Sequence, residues 1–358
     1  MAHDREAPAS VDRRQGSLTM RDIARLANVS SKSVSLVVNG LPGVGDETRA
    51  RIEALIAEHG YVPQARAQGL ATGRAFLVGH VYNNPNPEYL ITMQQGLLDG
   101  LEGTGYALVT FPLDRAHPQF SERLREFVSR HRLDGVVFSS SVAEDERLDP
   151  LLADLRVPYV RVASTAVDVP ERSVVGVDRD GAVLAGEHLV ELGHVRIGMV
   201  SGPMSFLSAR ERRNGFEQAL TAAGSPLDDT LVVEGDYTFE AGLQAGQALL
   251  DLDDRPTAVF AANDEMAAGV LQAAQRAGLE VPRELTVVGF DDFSIASHVQ
   301  PRLTTVRIPT RAMGHLAILT LLETQTGATD RGQARDTPSP ELVVRETSAP
   351  AVSPEGPR

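Results

Sequence analysis

From Phe76 onward the chain alternates short apolar runs with longer stretches of helical period, and this alternation restricts its fold more than any other feature. The runs Phe76–Val81, Tyr106–Phe111, Gly135–Phe138, Tyr159–Val162 and Val174–Val177 are each followed by a helical pattern. The series resumes with Ile197–Val200, Leu231–Val233, Ala258–Phe260 and Leu285–Gly289. Apolar strands separated by helices predict parallel sheets covered by helices on both faces. The number of runs predicts two such sheets, hence two α/β lobes, with Glu341–Val344 as a candidate edge strand. With 358 residues there is room for two or three domains whose cores need neither disulfide nor metal. The absence of Cys excludes disulfide scaffolds, zinc ribbons and thiol nucleophiles. No apolar run reaches the length of a membrane span, so no membrane association is expected. Residues 1–17 are polar, carry Pro8 and read as a disordered leader, not a signal peptide. The expected location is the cytoplasm.

The segment 18–63 has a different character. Thr19 and Asp22 form a capping-box pattern ahead of an apolar face made of Ile23, Ala24, Leu26 and Ala27. Asn28 suits a tight turn, Ser30 caps a second helix with Val34, Val37 and Val38 on one face, and Asn39-Gly40 ends it. A third helix is expected from a cap at Asp46 through Ile52, Leu55 and Ile56 to Gly60. The first two helices read as a helix-turn-helix, or as a small helical hairpin without a DNA role. Charge bears on that choice. The chain carries a net charge of −14, yet residues 13–74 hold nine basic and five acidic side chains. A basic head on an acidic body points to a nucleic-acid module joined to something else. Residues 64–74 follow as a short linker of good helix formers interrupted by Gly69; a helix this short is marginal unless something packs on it.

The stretches LTMRDIARLANVSSKSVSLVVNG (18–40), ETRARIEALIAEHGYVP (47–63) and ARAQGLATG (65–73) resemble the headpiece of the LacI/GalR family of transcription regulators. The resemblance continues through VVGVDRDGAVLAGEHLVELGHVRIGMVSGP (174–203), SARERRNGF (208–216), FAANDEMAAGVLQAAQRAGLEVPRELTVVGFDD (260–292) and PRLTTVRIP (301–309). It implies an all-α helix-turn-helix headpiece (18–63) and a hinge helix (64–74). These precede a two-lobed, periplasmic-binding-protein-like effector and dimerisation domain of doubly wound parallel sheets (75–347). The N-lobe is expected at about 75–175 with a crossover near 305–335, the C-lobe at about 176–304 with 336–347, and a disordered tail at 348–358.

The resemblance also implies roles for residues. The first turn of the recognition helix, Ser31, Lys32 and Ser33, faces the major groove, where Lys32 can donate to guanine O6 or N7. Ser35, Asn39, Thr19 and Thr48 match phosphate contacts, which position without specifying. Leu36 stands where the family often has Arg; it cannot pair with guanine but can touch a thymine methyl, so the operator half-site is expected to differ. Leu70, with Ala67 beside it, matches the residue that wedges into the central minor-groove step. The alternative for 64–74 is a plain linker.

In open α/β sheets, ligands bind beyond the carboxyl ends of the strands. Tyr82, Asn84 and Tyr89 after the first strand, Ser139 after the third, Asn263 after the run ending at Ala262 and Asp291 after the run ending at Phe290 are therefore expected effector contacts, and the resemblance adds Arg212 and Tyr237, which match family ligand-site positions. Arg212, Asp291 and Asn263 suit vicinal hydroxyls, and Tyr237 suits the C–H face of a sugar. A sugar or glycoside is expected, with a purine or nucleoside as the alternative. His188, Glu191 and His194 are spaced by threes but fall at a helix end running into a strand, where surface or capping roles are expected. No dinucleotide, phosphate-loop, zinc-protease or nucleophile-elbow motif occurs, so neither cofactor nor enzymatic activity is expected. A solute-binding protein or a sugar-processing enzyme on the same scaffold are the other classes; the first lacks its signal peptide, the second a catalytic constellation. The expectation is a homodimeric regulator, acting as a repressor on a pseudo-palindromic operator and released by its effector, with a corepressor-dependent repressor as the alternative.

Overall fold

The computed structural model describes residues 18–38, 42–61, 74–326 and 337–352. Asn39, Ala67 and Leu70 lie outside them, as do the leader 1–17 and residues 353–358. The chain divides into two units between Phe76 and Leu77.

The first unit holds α1 (Met20–Leu26), α2 (Ser31–Val38) and α3 (Asp46–His59). Thr19 caps α1: its Oγ1 accepts the Asp22 N–H at 3.3 Å while Asp22 Oδ2 accepts the Thr19 N–H at 2.9 Å. These reciprocal bonds satisfy donors that a helix start leaves orphaned. Asn28 turns the chain at φ 50°, and Ser30 Oγ accepts the Ser33 N–H at 3.1 Å at the head of α2. The cap of α3 falls one residue earlier than expected. Gly45 is the cap and Asp46 sits in the first turn, where its charge favours the helix N-terminus. Ile23, Ala24, Ala27, Val34, Val37, Ile52 and Tyr61 form a core of their own.

The second unit begins with β1 (Leu77–Asn83), α4 (Pro87–Leu101), β2 (Ala107–Pro112), α5 (Phe120–His131), β3 (Gly135–Ser140), α6 (Leu148–Leu155), β4 (Tyr159–Ala163) and β5 (Ser173–Val175). Then come α7 (Asp178–Glu191), β6 (Ile197–Ser201), α8 (Leu207–Ala222), β7 (Val232–Glu234), α9 (Phe239–Leu250), β8 (Ala258–Ala261) and α10 (Asp264–Arg276). The chain ends with β9 (Thr286–Asp291), α11 (Ser294–His298), β10 (Thr304–Arg307), α12 (Thr310–Thr326) and β11 (Glu341–Val343). The strands form a parallel sheet ordered β2-β1-β3-β4-β5 and a second ordered β11-β10-β9-β8-β6-β7, parallel except for β11. Both sheets start inside, step to one side and return past the start. A topological switch therefore lies between β1 and β3 in one lobe and between β6 and β8 in the other.

Helix α12 returns to the first lobe and packs on α4 and across β3, β4 and β5. The crossing is so close that a Cβ on Gly96 would lie 1.9 Å from the Arg311 carbonyl oxygen, and one on Gly314 would lie 2.4 Å from that of Met93. Strand β10 belongs to the second sheet, so residues 305–307 are part of the C-lobe and not of the crossover expected near 305–335. It escapes an apolar-run criterion because its first two residues are Thr304 and Thr305, fully buried and satisfied by side-chain hydrogen bonds.

The tail is a second correction. Residues 348–352 are not a free end but continue a pinned segment. Thr347 is fully buried, donating to the Val287 carbonyl at 2.7 Å and accepting the Thr304 N–H at 2.8 Å. The Ala349 carbonyl accepts from His194 Nε2 at 3.1 Å, and Ala351 N–H donates to Leu192 at 2.8 Å. His188 meets Ser348 Oγ at 3.0 Å, so two of the regularly spaced 188–194 side chains fasten the tail. Burial lowers the pKa of both histidines, which suits neutral rings in these bonds. Among the described residues no helix is long and apolar enough to cross a membrane.

Candidate functional site

The carboxyl ends of the two sheets face one cleft within the second unit. Loops after β1, β3 and β4 line it from the first lobe, and those after β6, β7, β8 and β9 from the second. Arg212 on α8 is its centre. The side chain is buried; Nε donates to Asp178 Oδ1 at 2.8 Å, Nη1 to the Ala262 carbonyl, and Nη2 lies 3.1 Å from Asp291 Oδ1. The guanidinium plane stands 4.0 Å over the Phe290 ring. Burial opposes its charge, but Asp291 and Asp178 more than offset this, and its pKa is raised.

Asp291 is the cleft's open acceptor. Burial pushes its carboxyl up to about 7 against the pull of Arg212, and Oδ1 has no hydrogen bond of good geometry. Its backbone sits at φ 107° and that of Asp292 at φ 57°. Positive φ in non-glycine residues costs of order 1–3 kcal/mol and persists only where the surroundings enforce it. They do so here. Asp264 Oδ2 accepts the Phe293 N–H at 2.8 Å, Thr305 Oγ1 donates to Asp264 Oδ1, and Asp292 is held by Arg307 and Arg345. Burial, reinforced by Asp291, raises the pKa of Asp264 strongly. Tyr237 (φ 70°) and Ser140 (φ 57°) carry the same strain, so the backbone is tensioned around the cleft on both sides.

Of the sequence-predicted effector residues, Asn84, Tyr89, Arg212, Tyr237, Asn263 and Asp291 come together on the cleft. Two of these have duties that limit a ligand role. Asn263 caps α10 by accepting the Met266 N–H at 2.9 Å and donates to the Tyr237 carbonyl at 2.9 Å, so its amide holds the strained tyrosine in place. Asn84 accepts the Asn86 N–H at 2.8 Å and donates to Ser140 Oγ at 3.2 Å. Tyr237 forms an aromatic wall with Phe206, ring centres 6.1 Å apart. Burial raises the pKa of Tyr89, which lies at the start of α4.

Tyr82 and Ser139 do not line the cleft. Strand β3 runs through Ser140, so Ser139 is still inside the sheet, fully buried, with Oγ 2.8 Å from His80 Nε2. Tyr82 pairs in register with Ser139 and its ring lies 5.0 Å from that of His80. Residue-by-residue reasoning missed Asp178, Glu144, Phe206 and Ser208, all on the cleft. Asp178 follows the apolar run ending at Val177, and the strand-end rule applied once more points to it. Glu144 sits in a loop with no pattern to mark it.

In the headpiece, Val34 and Val37 turn inward, and Lys32, Ser35 and Leu36 lie on the opposite face of α2. Ser31 and Lys32 are exposed and Leu36 is half-buried. The hydroxyls of Ser33 and Thr19 are already engaged, with Ser30 at 2.9 Å and with Asp22 at 2.6 Å. Thr48 is half-buried on the first turn of α3.

A helical headpiece whose second helix exposes Ser31 and Lys32, joined to a two-lobed α/β body with a polar cleft, defines a ligand-binding module carrying a candidate DNA reader. Comparison with known proteins agrees. Residues 19–64 match the family described as bacterial regulatory proteins, lacI family, and residues 187–348 match the periplasmic binding protein-like domain. The HTH-type transcriptional regulator CelR of Thermobifida fusca is 35% identical over 339 residues, 92% of this chain and 98% of that protein. Catabolite control protein A of Priestia megaterium is 33% identical, covering 84% of this chain and 90% of that protein. The solved lac repressor dimer bound to operator and the anti-inducer ONPF has a TM-score of 0.77 at 29% identity, covering 93% of this chain and 99% of that one. The chain belongs to the LacI family of bacterial transcriptional regulators.

Proposed function

We propose that the chain is a homodimeric, effector-controlled transcriptional repressor that binds a pseudo-palindromic operator and takes a neutral sugar or glycoside in its cleft. The observation that carries the effector reading is the charge of the cleft. Among the described residues that line it, Arg212 is the one cation, and it faces Asp178 and Asp291, with Glu144 as a further carboxylate. A phosphate or carboxylate ligand meets this surplus unfavourably, whereas a polyol brings hydroxyl donors to Asp291 and its C–H face to Tyr237. In the solved CelR–cellobiose complex the relative carries a disaccharide; it is 32% identical to this chain with a TM-score of 0.70, covering 92% of this chain and all of that one. Cellobiose therefore leads the candidates.

On the DNA side, the first turn of α2 presents Ser31, Lys32 and Ser33 to base edges in the major groove, Ser35, Asn39, Thr19 and Thr48 serve phosphates, and Leu36 contacts a thymine methyl. Leu70 and Ala67 serve the minor-groove wedge. The effector shifts operator affinity by no more than its preference between the lobe arrangements. Thermal shift against neutral sugars, sugar phosphates and nucleosides tests the reading. A ligand at a hundred times its Kd stabilises by about 2.7 kcal/mol. Stabilisation by neutral sugars alone supports it; stabilisation by sugar phosphates or purines overturns the sugar assignment.

A further inference from the structure

Glu144 stands apart from the rest of the cleft. It belongs to the loop after β3 in the first lobe, yet its Oε2 accepts the Leu207 N–H at 3.1 Å, at the first position of α8 in the second. It is thus one of the groups that bridge the two lobes; Glu88 and Ser294 make another such bond at 2.8 Å. The charged groups that face Glu144 are Arg115 from the loop after β2, Asp178 at the start of α7, and Arg210 from α8. Neither arginine is committed to it. Arg115 lies 3.3 Å from Asp145, and Arg210 donates to the Met204 carbonyl at 2.7 Å. A half-buried carboxyl therefore sits between the lobes with a single backbone donor and no cation of its own.

We propose that Glu144 is a positioning residue that couples closing of the lobes to uptake of a proton on its carboxyl. In the closed arrangement the carboxyl is half-buried between the lobes against the N-terminus of α8, and opening exposes it fully to water. A protonated carboxyl still offers its carbonyl oxygen to the Leu207 N–H, so the bond across the cleft survives protonation, while the cost of enclosing a charge disappears. Burial pushes this carboxyl up to about 7, outweighing the Leu207 N–H, which acts the other way. The sign follows. A group whose pKa is higher in the closed form favours closing below that pKa, and the advantage is lost as pH rises through about 7. An effector that needs the closed cleft is held more tightly on the acid side. This consequence rests on the cleft being the effector site; lobe closing itself does not, and is measured without effector.

The chain has no Cys, so one label can be placed on each lobe of the full-length protein, through Ser129→Cys on α5 and Asp253→Cys after α9, both exposed. Spin-label distance distributions at pH 6 and pH 8 are expected to show the closed-to-open ratio falling about tenfold across that range. Glu144→Gln, which keeps the shape and the acceptor but cannot titrate, is expected to hold the ratio within about twofold. Leu207→Pro removes the donor at a first-turn position that tolerates proline, after a residue already extended at φ −89°, ψ 135°, and is expected to lower the closed population about fivefold or more at both pH values. A slope that persists in Glu144→Gln, a flat profile in the labelled parent, or a closed population unchanged by Leu207→Pro overturns the proposal. A ligand screen that contradicts the sugar reading leaves these outcomes intact, so the two can fail separately.

Discussion

Replacing Arg212 by Met removes the charge at the centre of the cleft while leaving an unbranched stem to pack on Phe290. The guanidinium serves Asp178, the Ala262 carbonyl and Asp291, all buried. Removing one partner of a buried ion pair costs about 3–5 kcal/mol, because the remaining charge is left uncompensated. In a body of this size each kcal/mol lowers Tm by about 2–4 °C, so a fall of roughly 6–20 °C is expected at pH 8. The loss depends on pH in a defined direction. Asp291 is already held at about 7 with the cation in place, and without it rises further. The folded variant then takes up protons that the unfolded chain does not, so its stability drops as pH rises, and the gap to the parent widens from pH 6 to pH 8. Thermal denaturation of both full-length proteins at the two pH values measures this. A fall of less than about 3 °C at pH 8, or a gap that narrows with pH, refutes the claim that Arg212 holds the cleft carboxylates.

Three other outcomes follow from the packing and the surface. Gly96→Ala normally gains about 1 kcal/mol in a helix interior, but its Cβ would meet the Arg311 carbonyl at 1.9 Å. Parting α4 from α12 costs about 1–3 kcal/mol, so a lower Tm is expected, and an unchanged or higher one shows that this crossing is not tight. Lys32→Ala is expected to weaken binding to DNA selected by the parent by about 1–3 kcal/mol in a titration while leaving the Tm of the protein unchanged; full affinity removes Lys32 from the reader. His80 is buried with Nδ1 unpartnered, and burial pulls its pKa down to about 3. Its stabilising contribution is full above about pH 6.5 and is lost as pH falls toward 3. His80→Leu with Ser139→Ala should therefore lose less Tm between pH 7.5 and pH 5 than the parent, and an equal loss rules His80 out as the source.

Much of the architecture is written in local pattern. Strands such as β8 and β9 are apolar runs because parallel strands are covered on both faces, and the capping box at Thr19 and Asp22 marks α1. The failures share a cause: long-range pairing makes polar sequence behave as interior. Thr304 and Thr305 in β10 are buried because Thr347 and Asp264 lie opposite them, and nothing near them in sequence announces either partner. The tail looked free for the same reason, since its anchors, Val287 and His194, are distant in the chain. Within the cleft the strand-end rule found Asn84, Asn263 and Asp291, and the family resemblance Arg212 and Tyr237, but the rule misjudged Ser139 by one residue, which is enough to turn a side chain from the strand end into the sheet. Glu144 has meaning only once two lobes are brought together.

Control of DNA affinity by the cleft is tested most directly by fluorescence anisotropy of the full-length protein on DNA it selects from a random pool. Binding is measured with and without the sugar that raises its melting temperature most. Coupling between the two sites predicts a change in affinity of roughly 5–150-fold, lost in Arg212→Met together with sugar binding. A sugar that stabilises the protein yet leaves its DNA affinity within about twofold contradicts that control.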